Sequence, residues 1–366
     1  MHRVQSFRWQ RLDIPMREPF GIAGGAQLVA NNGLVIVTLA DGTQGVGEAA
    51  PFPAVNAKTQ AAVEANLLGA LPNLEGLEFS DWQTLPKSVP AFDTTPTART
   101  ALELALVDAA LRSEGRSLWE VCGKQELELE TDITVGTGDI ESARQASLRA
   151  AGDGFRCLKI KVGSKLDDPR AALELDRARI LAVGESAPEA SLILDGNAAY
   201  DSIHAVELVE SLGDLRRRVA LFEQPTAKHD IRGLLEVQQR AQVAVAADES
   251  CQGPESLAEL RGVAVINVKL MKSGVLGAVR LIEEAKARGF GLMMGGMVES
   301  RLAMGAAASI AAGFGGFSFI DLDTPLWLAE DPCCEGYTQV GPSIRLAPDA
   351  KGHGARVAPA WLNEPA

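Results

Sequence analysis

CLKIKVG (157–163), SLILDGN (191–197), LFEQP (221–225), VAADES (245–250) and INVKLMK (266–272) follow one another through the middle of this chain, each an apolar run ending on a charge. The charges come in the order lysine, three carboxylates, lysine: Lys159 and Lys161, then Asp195, Glu223, Asp248, then Lys269. A single acidic residue behind a strand is ordinarily a turn former or helix N-cap, and a single strand-end lysine an exposed charge. Their succession asks for a common cause. If each run is a parallel strand, its polar residue lies at the carboxyl end, where a β/α barrel assembles its active site from several strands. Three carboxylates converging there would repel one another without a divalent cation, and a lysine on either side could move protons. The stretch predicts a barrel carrying a metal-assisted proton-transfer site.

Working outward, DITVG (132–136) precedes these runs, and FGLMM (290–294) and FSFID (317–321) follow them. With CLKIKV (157–162), SLILD (191–195), ALFE (220–223), VAVAAD (243–248) and AVINVK (264–269) they make eight strands, the barrel number. Helix-like segments lie between them, such as IESARQASLRAAGDG (140–154), PRAALELDRARILAVG (169–184) and LGAVRLIEEAKARG (276–289), each ending near glycine. Before the barrel, VQSFRWQRLDI (4–14), GLVIVTLA (33–40), an Asp41-Gly42 turn and QGVGEAAP (44–51) read as an antiparallel meander. Two helices follow, over 59–71 and 95–115. The Pro- and Gly-rich tail has no barrel unit of its own. The expected division is an α+β capping domain over 1–125, completed by 326–366, and a barrel over 126–325.

With 46% hydrophobic and 23% charged residues the chain reads as globular, and no apolar run approaches the length of a membrane span. A net charge of −13 argues against nucleic acid as a partner. The start MHRVQSFRWQRL lacks a signal-peptide core, which predicts a cytoplasmic protein. Five cysteines at irregular spacing predict neither a disulfide framework nor a zinc site. The oligomeric state is left open, a homo-oligomer included.

Lys159 and Lys161 are two apart, so on a strand they share a face. Two ammonium groups held close, with a metal nearby, are expected to depress each other's pKa from about 10.4 toward the range of a base. Lys269, on the sixth strand, would face the opposite side of a bound substrate, so that one lysine removes a proton and the other returns it. Mg²⁺ on Asp195, Glu223 and Asp248 would stabilise the second negative charge of an enolate next to a carboxylate, with Lys159 adding an electrostatic contact.

The ordered set KIKVG, LDGN, FEQP, ADES and NVKLMKSG resembles the enolase superfamily, specifically its muconate-lactonising subgroup, over nearly the whole chain. The resemblance implies a (β/α)₇β modified TIM barrel with an α+β capping domain formed by the N-terminal region and the C-terminal tail. FIDLDTPLWL (319–328) carries Asp321 and Asp323, a pattern similar to that of dipeptide epimerases, in which this pair holds the substrate's α-ammonium. By the same resemblance Thr134, Lys159 and the backbone around Gly296 and Val298 would contact a dipeptide, while Asn197, Gln224 and Glu299 would support the site. KSGV (272–275) departs from the common KxGG, and DGN (195–197) from DAN, without loss of a reactive group. FGIAGGAQ (20–27) lacks the arginine expected of Ala-Glu epimerases, Arg17 belonging to the strand end, and PFPAVNA (51–57) is mainly apolar. Both point to a neutral or hydrophobic second residue.

Rival readings are an N-succinylamino acid racemase, an o-succinylbenzoate synthase or a cycloisomerase of the same subgroup, which would not need the aspartate pair. A sugar-acid dehydratase needs a histidine on a late strand, and His2, His204, His229 and His353 all lie elsewhere. A noncatalytic dipeptide-binding protein would have no use for lysines on opposite faces.

Overall fold

The computed structural model describes residues 1–22, 25–53, 59–85 and 95–362, without the side chains of 19–26 and 71. The chain opens with a long hairpin of β1 (His2–Ile22) and β2 (Gly25–Leu39), to which β3 (Gln44–Ala49) and β4 (Glu78–Phe79) add in the order β3-β2-β1-β4. The hairpin runs well past the alternating stretches of the sequence. Backbone pairing carries it through Asn31 opposite Asp13 and Val29 opposite Pro15, residues without strand-like patterning. The loop FGIAGGAQ therefore begins within β1 and ends within β2, and its side chains up to Ala26, like residues 54–58 of the second loop, lie outside the described set.

Helix Pro96–Ser113 packs across β2 and β3. Its start is set by Thr95, whose hydroxyl accepts the Ala98 N–H, and by Pro96 in the first turn. Two glycines of β3 let it approach: a Cβ on Gly47 would lie 2.1 Å from the Ala101 carbonyl oxygen, and one on Gly45 2.2 Å from that of Ala105. Such contact with backbone leaves room for glycine alone.

Eight parallel strands form the second sheet: β6 (Ile133–Val135), β7 (Cys157–Lys161), β8 (Ser191–Asp195), β9 (Val219–Glu223), β10 (Val245–Ala247), β11 (Val265–Lys269), β12 (Gly291–Gly295) and β13 (Phe319–Ile320). They are hydrogen-bonded in sequence order, with α-helices on every crossover except β10 to β11, where a 3-10 turn at Pro254–Ala258 serves. The ends of the sheet meet. Asp132 N–H donates to the Ile320 carbonyl at 2.9 Å, and Leu322 N–H to Thr131 Oγ1 at 2.9 Å. Among the described residues no α-helix follows β13, so the unit is a (β/α)₇β barrel with the antiparallel sheet as its cap, as the motifs implied. Ile193, Leu221, Ala246, Val265 and Met293 plug its interior, while a larger apolar layer fills the space between strands and helices.

The sequence pattern did not mark β5 (Glu128–Glu130), which pairs with β16 (Ser343–Arg345) of the tail, itself paired to β15 (Thr338–Val340). A second small ladder joins β14 (Cys333–Glu335) to β17 (Arg356–Val357). Asp108 of the long helix accepts from His353 N–H at 3.0 Å, and Ala329 N–H donates to the Pro15 carbonyl at 2.8 Å, so the tail returns to the N-terminal sheet. Cap and barrel also meet at Glu48, which accepts from Ser300 N–H (3.0 Å), Ser300 Oγ (2.7 Å) and Ala303 N–H (3.1 Å) at the start of helix Arg301–Phe314, and from Asn32 Nδ2 (2.7 Å). A carboxylate there completes the helix's free N–H groups and meets its positive end. All five cysteines are free, and among the described residues no helix is long and apolar enough to cross a membrane.

Gly47→Ala is expected to lower stability by about 3 kcal/mol in urea unfolding, because backbone cannot yield to the added methyl. Gly69→Ala, in helix Gln60–Ala70 with nothing within 4 Å of the new Cβ, is expected to raise it by about 0.5–1 kcal/mol. Equal effects of the two would refute the close-approach account.

Candidate active site

Strand register brings the charged ladder together. Lys161 of β7 lies opposite Asp195 of β8, and Asp195 opposite Glu223 of β9. Asp248 follows β10 directly, and Lys269 ends β11. Side chains two apart share a face, so Lys159, one step below Lys161, also enters the barrel. Lys159, Lys161, Asp195, Glu223, Asp248 and Lys269 are all buried, none more than 7% exposed.

Their contacts are direct ion pairs. Lys159 Nζ reaches Glu223 Oε2 at 2.7 Å, Asp321 Oδ2 at 2.7 Å and Asp195 Oδ2 at 3.1 Å. Lys161 Nζ donates to Asp195 Oδ2 at 2.6 Å, and Lys269 Nζ to Asp248 Oδ2 at 2.7 Å. Two further residues, unmarked in the sequence reading, complete the set. Lys272 Nζ donates to Asp248 Oδ1 at 2.7 Å and to the Asp248 and Asn267 carbonyls. Asn267 Nδ2 donates to Glu223 Oε1 at 2.7 Å. Asn267 stands two before Lys269 on β11, so the same period-2 rule that paired Lys159 with Lys161 would have found it.

The electrostatics follow from these pairs. Burial opposes ionisation of Asp195, yet Lys161 and Lys159 overcome it and hold the carboxyl well below its ordinary range. Burial likewise opposes ionisation of Asp248, and Lys269 and Lys272 prevail there. Glu223 goes the other way, pushed up to about 8 by burial and by Asp195. Lys159 departs from the expected depression, and Lys269 moves the same way. Burial disfavours their charge, but Asp321 and Glu223 raise Lys159, and Asp248 and Glu223 raise Lys269. Carboxylate contact outweighs the neighbouring ammonium in this arrangement.

The donor set suits a hard divalent cation: three carboxylates from adjacent strand ends, all oxygen ligands. Glu223 Oε2 is buried without an aligned hydrogen bond, meeting only the Lys159 ammonium, so part of the triad's bonding capacity is open. The residues present therefore fit Mg²⁺. Turns behind the triad are tightly formed. Asn197 and Ala198, just after Asp195, and Gln224, just after Glu223, hold left-handed backbone with φ of 41°, 63° and 34°. Gln224 Oε1 accepts the Asp248 and Ser250 N–H groups at 2.9 and 3.1 Å, a supporting role, and Asn197 Nδ2 faces Glu249.

Asp321 and Asp323 follow β13 at the seam beside β6. Asp321 is paired to Lys159, and Asp323 Oδ2 accepts the Thr134 N–H at 2.7 Å and Trp327 Nε1 at 3.0 Å. A cavity of about 30 Å³ joins these groups, lined by Thr134, Lys159, Lys161, Asp248, Lys269, Asp321, Asp323 and Gly296, with Phe52, Asn197, Met297 and Thr324. Val298 is not among them, and its carbonyl is taken by Asn32 Nδ2 at 2.9 Å. Glu299 lies behind, its carboxylate accepting the Met297 N–H at 2.7 Å and pushed up to about 8 by burial. Such a cavity holds about one water molecule.

The mandelate racemase / muconate lactonizing enzyme N-terminal domain model matches residues 9–123, and the enolase C-terminal domain-like model residues 141–361. The chain is similar to the aromatic dipeptide epimerase of Herpetosiphon aurantiacus, 40% identical over 97% of this chain and 99% of that protein. It is 30% identical to the L-Ala-D/L-Glu epimerase of Thermotoga maritima, over 94% and 99%. Among solved structures it resembles the dipeptide epimerase of Enterococcus faecalis complexed with Mg and L-Leu-L-Tyr, with 28% identity, a TM-score of 0.89 and coverage of 96% and 99%. With its cap, its eight-stranded barrel and its ladder of strand-end charges, the chain belongs to the mandelate racemase/muconate lactonizing enzyme family of the enolase superfamily, and it is an isomerase.

Proposed function

We propose that this isomerase epimerises dipeptides, inverting the α-carbon of the second residue by a 1,1-proton transfer between Lys161 and Lys269 through an enediolate. One observation carries the reading. Lys161 on β7 and Lys269 on β11 stand four strands apart in an eight-stranded ring, yet line a single buried cavity together with Asp321 and Asp323. Two lysine side chains on opposite sides of one substrate carbon, one a neutral amine and the other an ammonium, allow removal of a proton from one face and delivery to the other.

Asp195, Glu223 and Asp248 would hold Mg²⁺, as the family and the Enterococcus complex support. The ion, when bound, supplies positive charge against the second negative charge of the enediolate. The lysine that takes the α-proton acts as the neutral amine and the one that returns a proton as the ammonium, Lys161 and Lys269 exchanging these roles between the two directions. Lys159 holds its charge beside Glu223 and Asp321 and orients the substrate carboxylate. Asp321 and Asp323 meet the α-ammonium of the first residue, while Thr134 and the backbone around Gly296 border the peptide. We take the second side chain to be neutral or hydrophobic: FGIAGGAQ offers no cation, Phe52 lines the cavity, and the relative named for aromatic dipeptides is the more similar of the two above. Five free cysteines accord with a cytoplasmic location.

In D₂O with Mg²⁺, L-Ala-L-Phe is expected to gain deuterium at the second α-carbon, read by mass spectrometry; absence of exchange into any dipeptide of a library would sink the reading. Lys161→Ala and Lys269→Ala should each lose about 10³-fold in exchange, starting from opposite stereoisomers. A variant active from both would break the two-base assignment. Removal of divalent ions by EDTA should abolish turnover and Mg²⁺ restore it, whereas full activity in EDTA would exclude the metal role. L-Ala-L-Phe should exceed L-Ala-L-Glu in kcat/KM by about tenfold, a methylene-scale or charge-scale discrimination, and the reverse order would overturn the side-chain preference.

A further inference from the structure

We propose that Asp132 is the third carboxylate of the ammonium-binding end of the site, a specificity-determining residue that makes the enzyme demand a free, charged α-amino group. The inference rests on the dipeptide reading. Asp132 stands two before Thr134 at the barrel seam and joins Asp321 and Asp323 in a group whose carboxylate oxygens lie within 4.8 Å of one another. Asp132 is 1% exposed and Asp323 0%. Both oxygens of Asp132, and Oδ1 of Asp323, are buried without a hydrogen-bond partner.

The charge balance points to a cation. Lys159 is the ammonium in contact with the group, through Asp321, and it is shared with Asp195 and Glu223. Three buried carboxylates that close together stay ionised only beside more positive charge than a shared lysine supplies. Burial and Asp321 accordingly push the Asp132 carboxyl well above its ordinary range. A primary ammonium at Asp321 and Asp323 relieves the group, while an acylated, neutral nitrogen does not.

Asp132 acts from below. It lines a cavity of about 360 Å³ at the amino-terminal end of the barrel, with Arg156, Cys157, Ile193 and Phe319, and not the cavity that holds the catalytic lysines. Its charge is therefore felt through Asp321 and Asp323, which makes it a positioning residue. A second metal ion is the less fitting occupant. Asp323 Oδ2 is already committed to Thr134 and Trp327, and Asp321 Oδ2 to Lys159, so two of the three carboxylates each have one oxygen engaged with a protein donor.

The test compares L-Ala-L-Phe with N-acetyl-L-Ala-L-Phe on the Mg²⁺ enzyme and on Asp132→Asn, by kinetics and by calorimetric binding. Asp132→Asn removes the carboxylate that ionises once the ammonium is bound, and should weaken binding of the free dipeptide and raise its KM by about tenfold, with kcat little changed and the weak binding of the acetylated compound unmoved. Asp132→Ser should give the same shift, and Asp132→Glu should restore much of it. Equal effects on both compounds, or none, would overturn the proposal, as would two Mn²⁺ ions per chain falling to one in Asp132→Asn. A wild-type enzyme that binds the free dipeptide tenfold more weakly in Asp132→Asn yet exchanges no deuterium would defeat the epimerase reading and leave the cluster assignment standing.

Discussion

Buried lysine ammoniums held by carboxylates govern the mouth of this barrel. Lys159, Lys161, Lys269 and Lys272 are all at most 8% exposed, and a charge taken out of water costs several kcal/mol unless a partner meets it. The partner has to come from a different strand, so the ladder ties together β7, β8, β9, β11 and the residue after β10. A slip of one residue would turn the ions carried on the strands toward the apolar layer under the outer helices. Register, the order of the strands and the placement of the chemistry are thus one constraint.

Buried carboxylates in this molecule fall into two kinds, told apart by their hydrogen bonds. Glu48 accepts from Ser300, Ala303 and Asn32, and Asp108 from His353, Val46 and Arg112. Their oxygens are satisfied by donors from distant parts of the chain, and they join cap to barrel and tail to cap. Glu103 does the same for helix Leu270–Ala287, accepting the Leu276 N–H beside Gly274, whose φ of 74° interrupts the helix. In the KSGV departure, it is this glycine that stays, while Val275 takes the second place and is fully buried. Glu223, Asp132 and Asp323, by contrast, keep buried oxygens without aligned donors. Unsatisfied buried oxygen is costly in a stable fold, and these three carboxylates lie at or beside the place where a cation or a substrate would be bound.

Asp176 and Arg179 show how far support extends from the lysines. The fully buried Arg179 guanidinium donates to the carbonyls of Lys161 and Gly136, fastening the ends of β7 and β6. Asp176 accepts from Gly163, Ser164 and the Tyr200 hydroxyl, fixing the turns that follow β7 and β8. Both residues sit on one helix outside the barrel, so the position of Lys161 is set from behind as well as by Asp195.

The eight strands, the order of the charged residues and the shared face of Lys159 and Lys161 were legible in the chain, because each depends on spacing within a few residues. Asp132, just before β6, and Asn267, inside β11, obeyed the same alternation beside Thr134 and Lys269, and were passed over because a polar residue there carries no mark of its partner. β5 escaped because its pairing strand lies more than two hundred residues away in the tail. The raised lysines, the sharing of Lys159 among Glu223, Asp195 and Asp321, and the closing of the seam by Asp132 and Ile320 follow from distances across the barrel. Periodicity along a strand fixes which face a side chain takes, whereas the charge it meets there depends on how the sheet curls and closes.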